Sequence, residues 1–153
     1  MKLKIRESYE TDNAKLDLKN TMTELKHKVA AYLKDRDVSV YVERSGSTGY
    51  SIGVVFNDPN VSEFARGRCF PYLNVRIRKQ RNGEIQYYLY TCSTGTSAST
   101  PVIYDTWDEC RDGLLSSGLS LIVDETNDAF DTLDAFKRRD PDAYKRYADT
   151  HLG

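Results

Sequence analysis

A chain of 153 residues is long enough for one domain, and a domain of this size buries roughly 70% of the surface that its unfolded chain exposes. Its hydrophobic content of 39% is too high for a disordered chain, and no apolar run is long enough to cross a membrane. The formal net charge of −1 hides two segments of opposite sign, because residues 66–81 are basic and residues 105–149 are mainly acidic. We expect a single cytoplasmic domain over residues 1–153, whose charged segments either steer a partner or neutralise each other.

The first predicted element is an amphipathic helix over residues 15–34. Apolar residues recur there with spacings of three and four, at Leu18, Met22, Leu25, Val29 and Leu33. This is the period of one helix face, so the stripe is expected to pack on a core. Residues 1–13 are polar and are expected to form a short strand or an arm.

Two predicted β-hairpins follow the helix. Valines alternate with polar residues from Val38 to Glu43, and a second strand extends from Tyr50 to Phe56. Turn residues then lead to a short helical turn near residues 62–65. The second hairpin lies between Leu73 and Ser93, where Asn82-Gly83 separates two alternating runs.

Asn82-Gly83 is a preferred pair for a two-residue type I′ turn, and that turn fixes a register for the second hairpin. One face then becomes apolar, with Ile77 opposite Tyr88 and Val75 opposite Tyr90. The other face alternates cations with aromatic and polar groups, in the cross-strand pairs Arg78–Tyr87, Arg76–Leu89 and Asn74–Thr91. Such a face can stack on rings and pair with phosphates or carboxylates.

The C-terminal third is predicted to be mainly helical. Residues 93–101 are rich in serine and threonine and are expected to be a mobile loop. Thr106 and Glu109 have capping-box spacing, so a helix is expected to begin near Trp107. Residues 119–123 fit a fifth strand or a helix, residues 125–138 are helical in period, and Asp140 is placed to cap a last helix from Pro141 to Ala148.

These elements predict an α+β fold. Its sheet is largely antiparallel with four or five strands in two successive hairpins, and it is accompanied by an N-terminal helix and two or three C-terminal helices.

The chain lacks the residue patterns of common catalytic and metal sites. Its two histidines, His27 and His151, do not form a pair at helical spacing, and neither is placed for catalysis. The three cysteines, Cys69, Cys92 and Cys110, lack metal-ligand spacing and are expected to be reduced thiols in the core. We therefore expect no enzyme activity, no metal and no cofactor.

The second hairpin supplies the candidate site. Its partner-binding residues are predicted to be Asn74, Arg76, Arg78, Lys79, Arg81 and Tyr87, with Arg66 and Arg68 as a secondary basic group. Three interpretations of this face stay open: a solvated sheet surface, a partner-binding face, or a face buried under a helix by Ile85 and Leu89. The low net charge favours a protein partner over nucleic acid.

We therefore expect a non-enzymatic regulatory protein that acts through a protein interface as an inhibitor or adaptor, without binding a membrane. The first alternative is a nucleic-acid-binding protein, with Tyr87 stacking on bases. The second is an enzyme with a serine, threonine, tyrosine and carboxylate site. In compact size, tyrosine content and lack of a catalytic signature, the chain is similar in style to small phage-encoded regulators of host machinery, a resemblance that implies no residue roles.

Overall fold

The computed structural model describes residues 2–65, 71–92 and 100–152. The strands are β1 (Val38–Ser45), β2 (Gly49–Phe56), β3 (Tyr72–Lys79), β4 (Ile85–Cys92) and β5 (Val102–Tyr104). The helices are α1 (Lys2–Tyr32), α2 (Pro59–Ala65), α3 (Trp107–Gly113), α4 (Leu119–Arg139) and α5 (Pro141–Leu152), and a π-helical turn (Leu114–Gly118) joins α3 to α4. The strands form one antiparallel sheet in chain order, so the predicted α+β fold is confirmed.

Helix α1 packs along the sheet through the predicted apolar stripe. All five stripe residues are buried, from Leu18 to Leu33, and none is more than 1% exposed. The helix begins much earlier than predicted, because residues 2–13 continue it as further helical turns rather than forming a strand.

The core lies between one face of the sheet and the helices. Ile52, Leu73, Val75 and Leu89 alternate along their strands and contribute buried side chains to this face. Gly118 allows close approach of the π-helical turn, since a Cβ there would lie 2.8 Å from Leu73 Cδ1. Residues 119–123 form the start of α4, and the fifth strand is the short segment Val102–Tyr104.

Helices α3 and α5 begin at the side-chain caps that were predicted from sequence. The Thr106 hydroxyl accepts a hydrogen bond from the Glu109 N–H at 3.2 Å, and Asp140 Oδ1 accepts one from the Ala143 N–H at 3.0 Å. Each cap satisfies a backbone donor that the helix itself leaves unpaired. The last helix is longer than predicted, because it continues past Ala148 to Leu152.

We expect Thr106→Ala to lower the free energy of unfolding by about 1 kcal/mol, because the substitution leaves the Glu109 N–H without its side-chain acceptor. Urea unfolding followed by circular dichroism measures the change. Thr132→Ala is the matched control, since Thr132 is exposed within α4. Equal effects of the two substitutions would show that the cap does not contribute to stability.

The predicted register of the second hairpin is wrong by one residue. The structure pairs Arg76 with Tyr88, Ile77 with Tyr87 and Asn74 with Tyr90. A type I′ turn needs positive φ at both central residues, but among the described residues only glycines have positive φ, and Gly83 is one of them with a φ of 88°.

The β3–β4 loop is instead three residues long, from Arg81 to Gly83. The Gln80 N–H donates to the Glu84 carbonyl at 2.7 Å, and Asn82 Oδ1 accepts from the Glu84 N–H at 3.0 Å. A left-handed glycine as the last residue is typical of three-residue hairpin loops. Because side chains alternate along a strand, this shift moves every β4 residue to the face opposite the predicted one.

Candidate partner-binding face

The second face of the sheet, which we call the open face, is the one opposite the buried apolar side chains on which α1, α3 and α4 pack. It carries the strand positions that alternate with the core positions: Ser39, Tyr41, Glu43, Ser45, Gly49, Ser51, Gly53, Val55, Tyr72, Asn74, Arg76, Arg78, Gln86, Tyr88, Tyr90 and Ile103. Tyrosine, serine, glycine and arginine dominate this set, so the face combines rings, hydroxyl groups and positive charge.

A depression of about 520 Å³ lies at the centre of the open face. Its lining consists of Ser45, Ser51, Tyr72, Asn74, Arg76, Arg78 and Tyr90. The outward positions of β2 are small at its floor, where Ser51 lines the depression and Gly49 and Gly53 lie on either side of it along the strand. Larger residues on the neighbouring strands stand higher than this floor and form its walls.

Asn74 organises the floor of the depression. Although polar, it is only 8% exposed. Its side-chain N–H groups donate to Ser45 Oγ and to Ser51 Oγ, both at 2.6 Å. Its Oδ1 accepts from Arg76 Nε at 3.3 Å. One buried amide thus connects three strands and fixes the base of the Arg76 side chain, as buried polar groups require.

Arg76 and Arg78 bring two positive charges to this face. Both are exposed, and neither forms an ion pair with another residue of the described ranges. The Arg78 guanidinium lies 5.1 Å from the centre of the Tyr88 ring, and its Nη2 lies 3.5 Å from Tyr90 Oη. These neighbours orient the guanidinium without neutralising it.

The helices of the acid-rich C-terminal segment pack on the core face of the sheet, opposite the face that carries Arg76 and Arg78. Leu114 and Ile122 anchor this segment in the core on the other side of the sheet. One of its acids, Asp131 of α4, pairs with Arg36 in the turn between α1 and β1, with 3.0 Å between Oδ1 and Nη2. Another, Asp105, accepts a hydrogen bond from the neutral Gln86 side chain of β4 at 2.7 Å. Arg76 and Arg78 are therefore not neutralised by the described acids of this segment. Burial under the helices, one of the three interpretations of the hairpin face, applies to Tyr87 and Leu89 of β4 but not to the two exposed arginines.

Tyr41 forms part of the rim of the open face. Its ring lies across Gly53, where a Cβ would be 2.5 Å from the hydroxyl oxygen. Burial raises the pKa of Tyr41, and the nearby Glu43 and Tyr72 raise it further. The phenol is therefore neutral at physiological pH and acts as a hydrogen-bonding ring.

The predicted site residues have different positions in the structure. Asn74, Arg76 and Arg78 lie together on the open face, whereas Lys79 and Arg81 are exposed at the end of the hairpin. Arg66 and Arg68 lie outside the described residues.

The prediction that Tyr87 belongs to the partner-binding site is wrong. Tyr87 is 7% exposed on the core face, and its ring centre lies 5.4 Å from that of Trp107. The register shift puts Tyr88 and Tyr90 on the open face in place of Tyr87 and Leu89.

Sequence reasoning missed Tyr72 at the start of β3. It also missed the part of the site outside β3, namely Tyr41, Ser45, Ser51, Tyr88 and Tyr90. One signal for them was present in the chain. Gly49, Ser51 and Gly53 are small residues at every second position of a strand, a pattern typical of close approach by another group.

Two further features of the described residues bear on function. They contain no cluster of three or more histidine, cysteine or acidic side chains able to hold a metal ion, and no helix among them is long and apolar enough to cross a membrane. Cys110 is fully buried, as predicted, and burial raises the pKa of its thiol to about 12. A neutral buried thiol is a poor nucleophile, so Cys110 has the properties of a core residue.

No protein-family model, curated protein or solved structure matches this chain. The inference of function therefore rests on the open face itself.

Proposed function

We propose that this chain is a small non-enzymatic binding protein whose open face binds an acidic surface of another protein. The observation that carries the proposal is the state of Arg76 and Arg78, two exposed guanidinium groups without a carboxylate partner in the described part of the chain. A partner that supplies carboxylates would complete these pairs.

The composition of the open face supports a protein partner. Arginine and tyrosine are enriched at the energetic centres of protein interfaces. Tyrosine, serine, glycine and asparagine dominate binding surfaces of the antibody type, because rigid rings give contact area and small polar groups give adaptable hydrogen bonds. The open face holds all of these residue types around one depression.

Single-stranded nucleic acid is the second candidate. The specific observation for it is the position of the Arg78 guanidinium beside the Tyr88 ring, at 5.1 Å. Bases stack on such rings while cations pair with phosphates. The net charge of −1 provides little long-range attraction to a polyanion, and for this reason the protein partner is the first proposal.

The test is a comparison of Arg76→Glu/Arg78→Glu with the unmodified protein in affinity capture from a lysate of the source cells, followed by calorimetry with the purified captured protein. We expect the double charge reversal to weaken binding at least about 100-fold, because it places like charges opposite each other at the interface. The circular dichroism spectrum is expected to stay unchanged, since both side chains are exposed.

Lys26→Glu/Lys28→Glu is the matched control. It makes the same change in net charge on exposed positions of α1, away from the open face. If both double variants lose binding equally, the effect is one of net charge and the site assignment is wrong. Salt-sensitive binding of short single-stranded oligonucleotides that depends on Arg76 and Arg78 would replace the protein proposal by the nucleic-acid one.

A further inference from the structure

The hydrogen-bonding groups of the depression are predominantly donors. The Asn74 amide orientation is fixed by Arg76, because Nε–H of arginine can only donate and therefore faces Oδ1. The Asn74 N–H groups then point at Ser45 and Ser51, whose hydroxyl oxygens accept. Each serine hydroxyl hydrogen is consequently left without an acceptor among the described residues.

Further donors come from the walls. Arg76 uses Nε for Asn74, and among the described residues its two terminal nitrogens have no hydrogen-bond partner. Arg78 adds a second guanidinium, and Tyr90 Oη faces an arginine nitrogen and so retains its own hydrogen as a donor. None of the residues that line the depression is acidic. The depression thus combines two positive charges with several O–H and N–H donors.

We propose that this depression is an oxyanion site that takes a carboxylate or phosphate group of the bound partner. Only an acceptor-rich group satisfies such a set of donors, and a negative charge makes the hydrogen bonds shorter and stronger. The volume of about 520 Å³ is in the range of ligand sites and larger than one oxyanion, so the anionic group arrives on a side chain or another extended group. The inference that a protein partner carries the anion rests on the proposed function. The inference that the depression binds an anion rests only on its donors and charges.

The site can be tested with free anions and the full ¹⁵N-labelled chain. Inorganic phosphate and acetate are titrated separately against sodium chloride of equal ionic strength, and two-dimensional NMR follows the side-chain amide of Asn74 and the backbone amides of Ser45 and Ser51. We expect saturable shifts in the millimolar range with phosphate, acetate or both. Shifts with phosphate alone indicate a phosphorylated partner, and shifts with acetate as well indicate acidic side chains.

Ser45→Ala/Ser51→Ala separates a built site from general attraction to the arginines. This variant keeps both positive charges, removes the two hydroxyl donors and removes the acceptors that hold the Asn74 amide. Anion affinity is therefore expected to fall at least about tenfold. Ser39→Ala is the control, because Ser39 lies on the same face but hydrogen-bonds to Asn57 Oδ1 outside the depression. Absence of saturable shifts, or equal shifts in the serine double variant and the unmodified chain, would overturn the proposal.

The outcome is independent of the capture experiment. Saturable anion binding stands even where no protein partner is found, and in that case the proposed function fails while the oxyanion site remains. If no anion binds but partner binding still depends on Arg76 and Arg78, the oxyanion site is wrong and the proposed function remains.

Discussion

Replacing Leu133 by alanine is expected to lower the free energy of unfolding by about 2 to 5 kcal/mol, the usual range for a buried leucine that leaves a cavity. Leu133 is 1% exposed and belongs to a second apolar cluster with Phe56, Val61 and Ala129. This cluster holds α4 and α2 against the end of β2. The Phe130 ring extends it by an edge contact with Phe56, at 5.6 Å between ring centres.

Urea unfolding of Leu133→Ala and of Asp134→Ala measures this effect. Asp134 is the exposed neighbour on the same helix, and its replacement is expected to change stability by no more than about 0.5 kcal/mol. Leu133 lies on the side of the sheet opposite the open face, so anion binding by the folded variant is expected to stay unchanged. A loss below about 1 kcal/mol would mean that the second half of α4 unfolds separately from the sheet.

The helices of this protein could largely be predicted from sequence because their signals are local. The five-residue stripe of α1 is one face of a helix, and Thr106 and Asp140 act as caps within three residues of their partners. Residues 119–123 were ambiguous, since a short apolar run fits a strand as well as a buried helix. In the structure they begin α4, with Ile122 buried in the core.

The candidate site was harder to predict because it depends on hairpin register. Asn82-Gly83 fits both a two-residue and a three-residue loop, and the choice between them moves Tyr87 from one face to the other. Arg76 and Arg78 belong to the predicted site in either register, since both lie on β3. To predict the walls from β1 and β4, the register between all four long strands must be known. Sequence periodicity does not determine that register.

The second large effect is a loss of stability at alkaline pH caused by Cys110. Burial raises the pKa of this thiol from 9.0 to about 12. Between these values the unfolded chain carries a thiolate while the native chain keeps its proton, so the native state binds more protons and its stability falls as pH rises. Three pH units correspond to about 4 kcal/mol over the full window.

Urea unfolding at about pH 8 and about pH 10.5 tests this expectation, with Cys110→Ala as the comparison and reducing agent present throughout. The unmodified chain is expected to lose about 2 kcal/mol more than the variant between these two pH values. The variant is expected to start from a lower stability, because alanine leaves part of the thiol volume empty. Parallel losses in the two proteins would show that Cys110 ionises as readily in the native state as in the unfolded chain.

Titration of Tyr87, which lies near Cys110, tests the register of the second hairpin. Burial raises the pKa of Tyr87, and Cys110 and then Asp17 raise it further. This environment exists only if Tyr87 faces the core, as the three-residue loop requires. In an alkaline absorbance titration, Tyr87→Phe is therefore expected to remove phenolate signal from the late part of the curve. Loss of signal from the early part would place Tyr87 on the open face and restore the two-residue turn that Asn82-Gly83 first suggested.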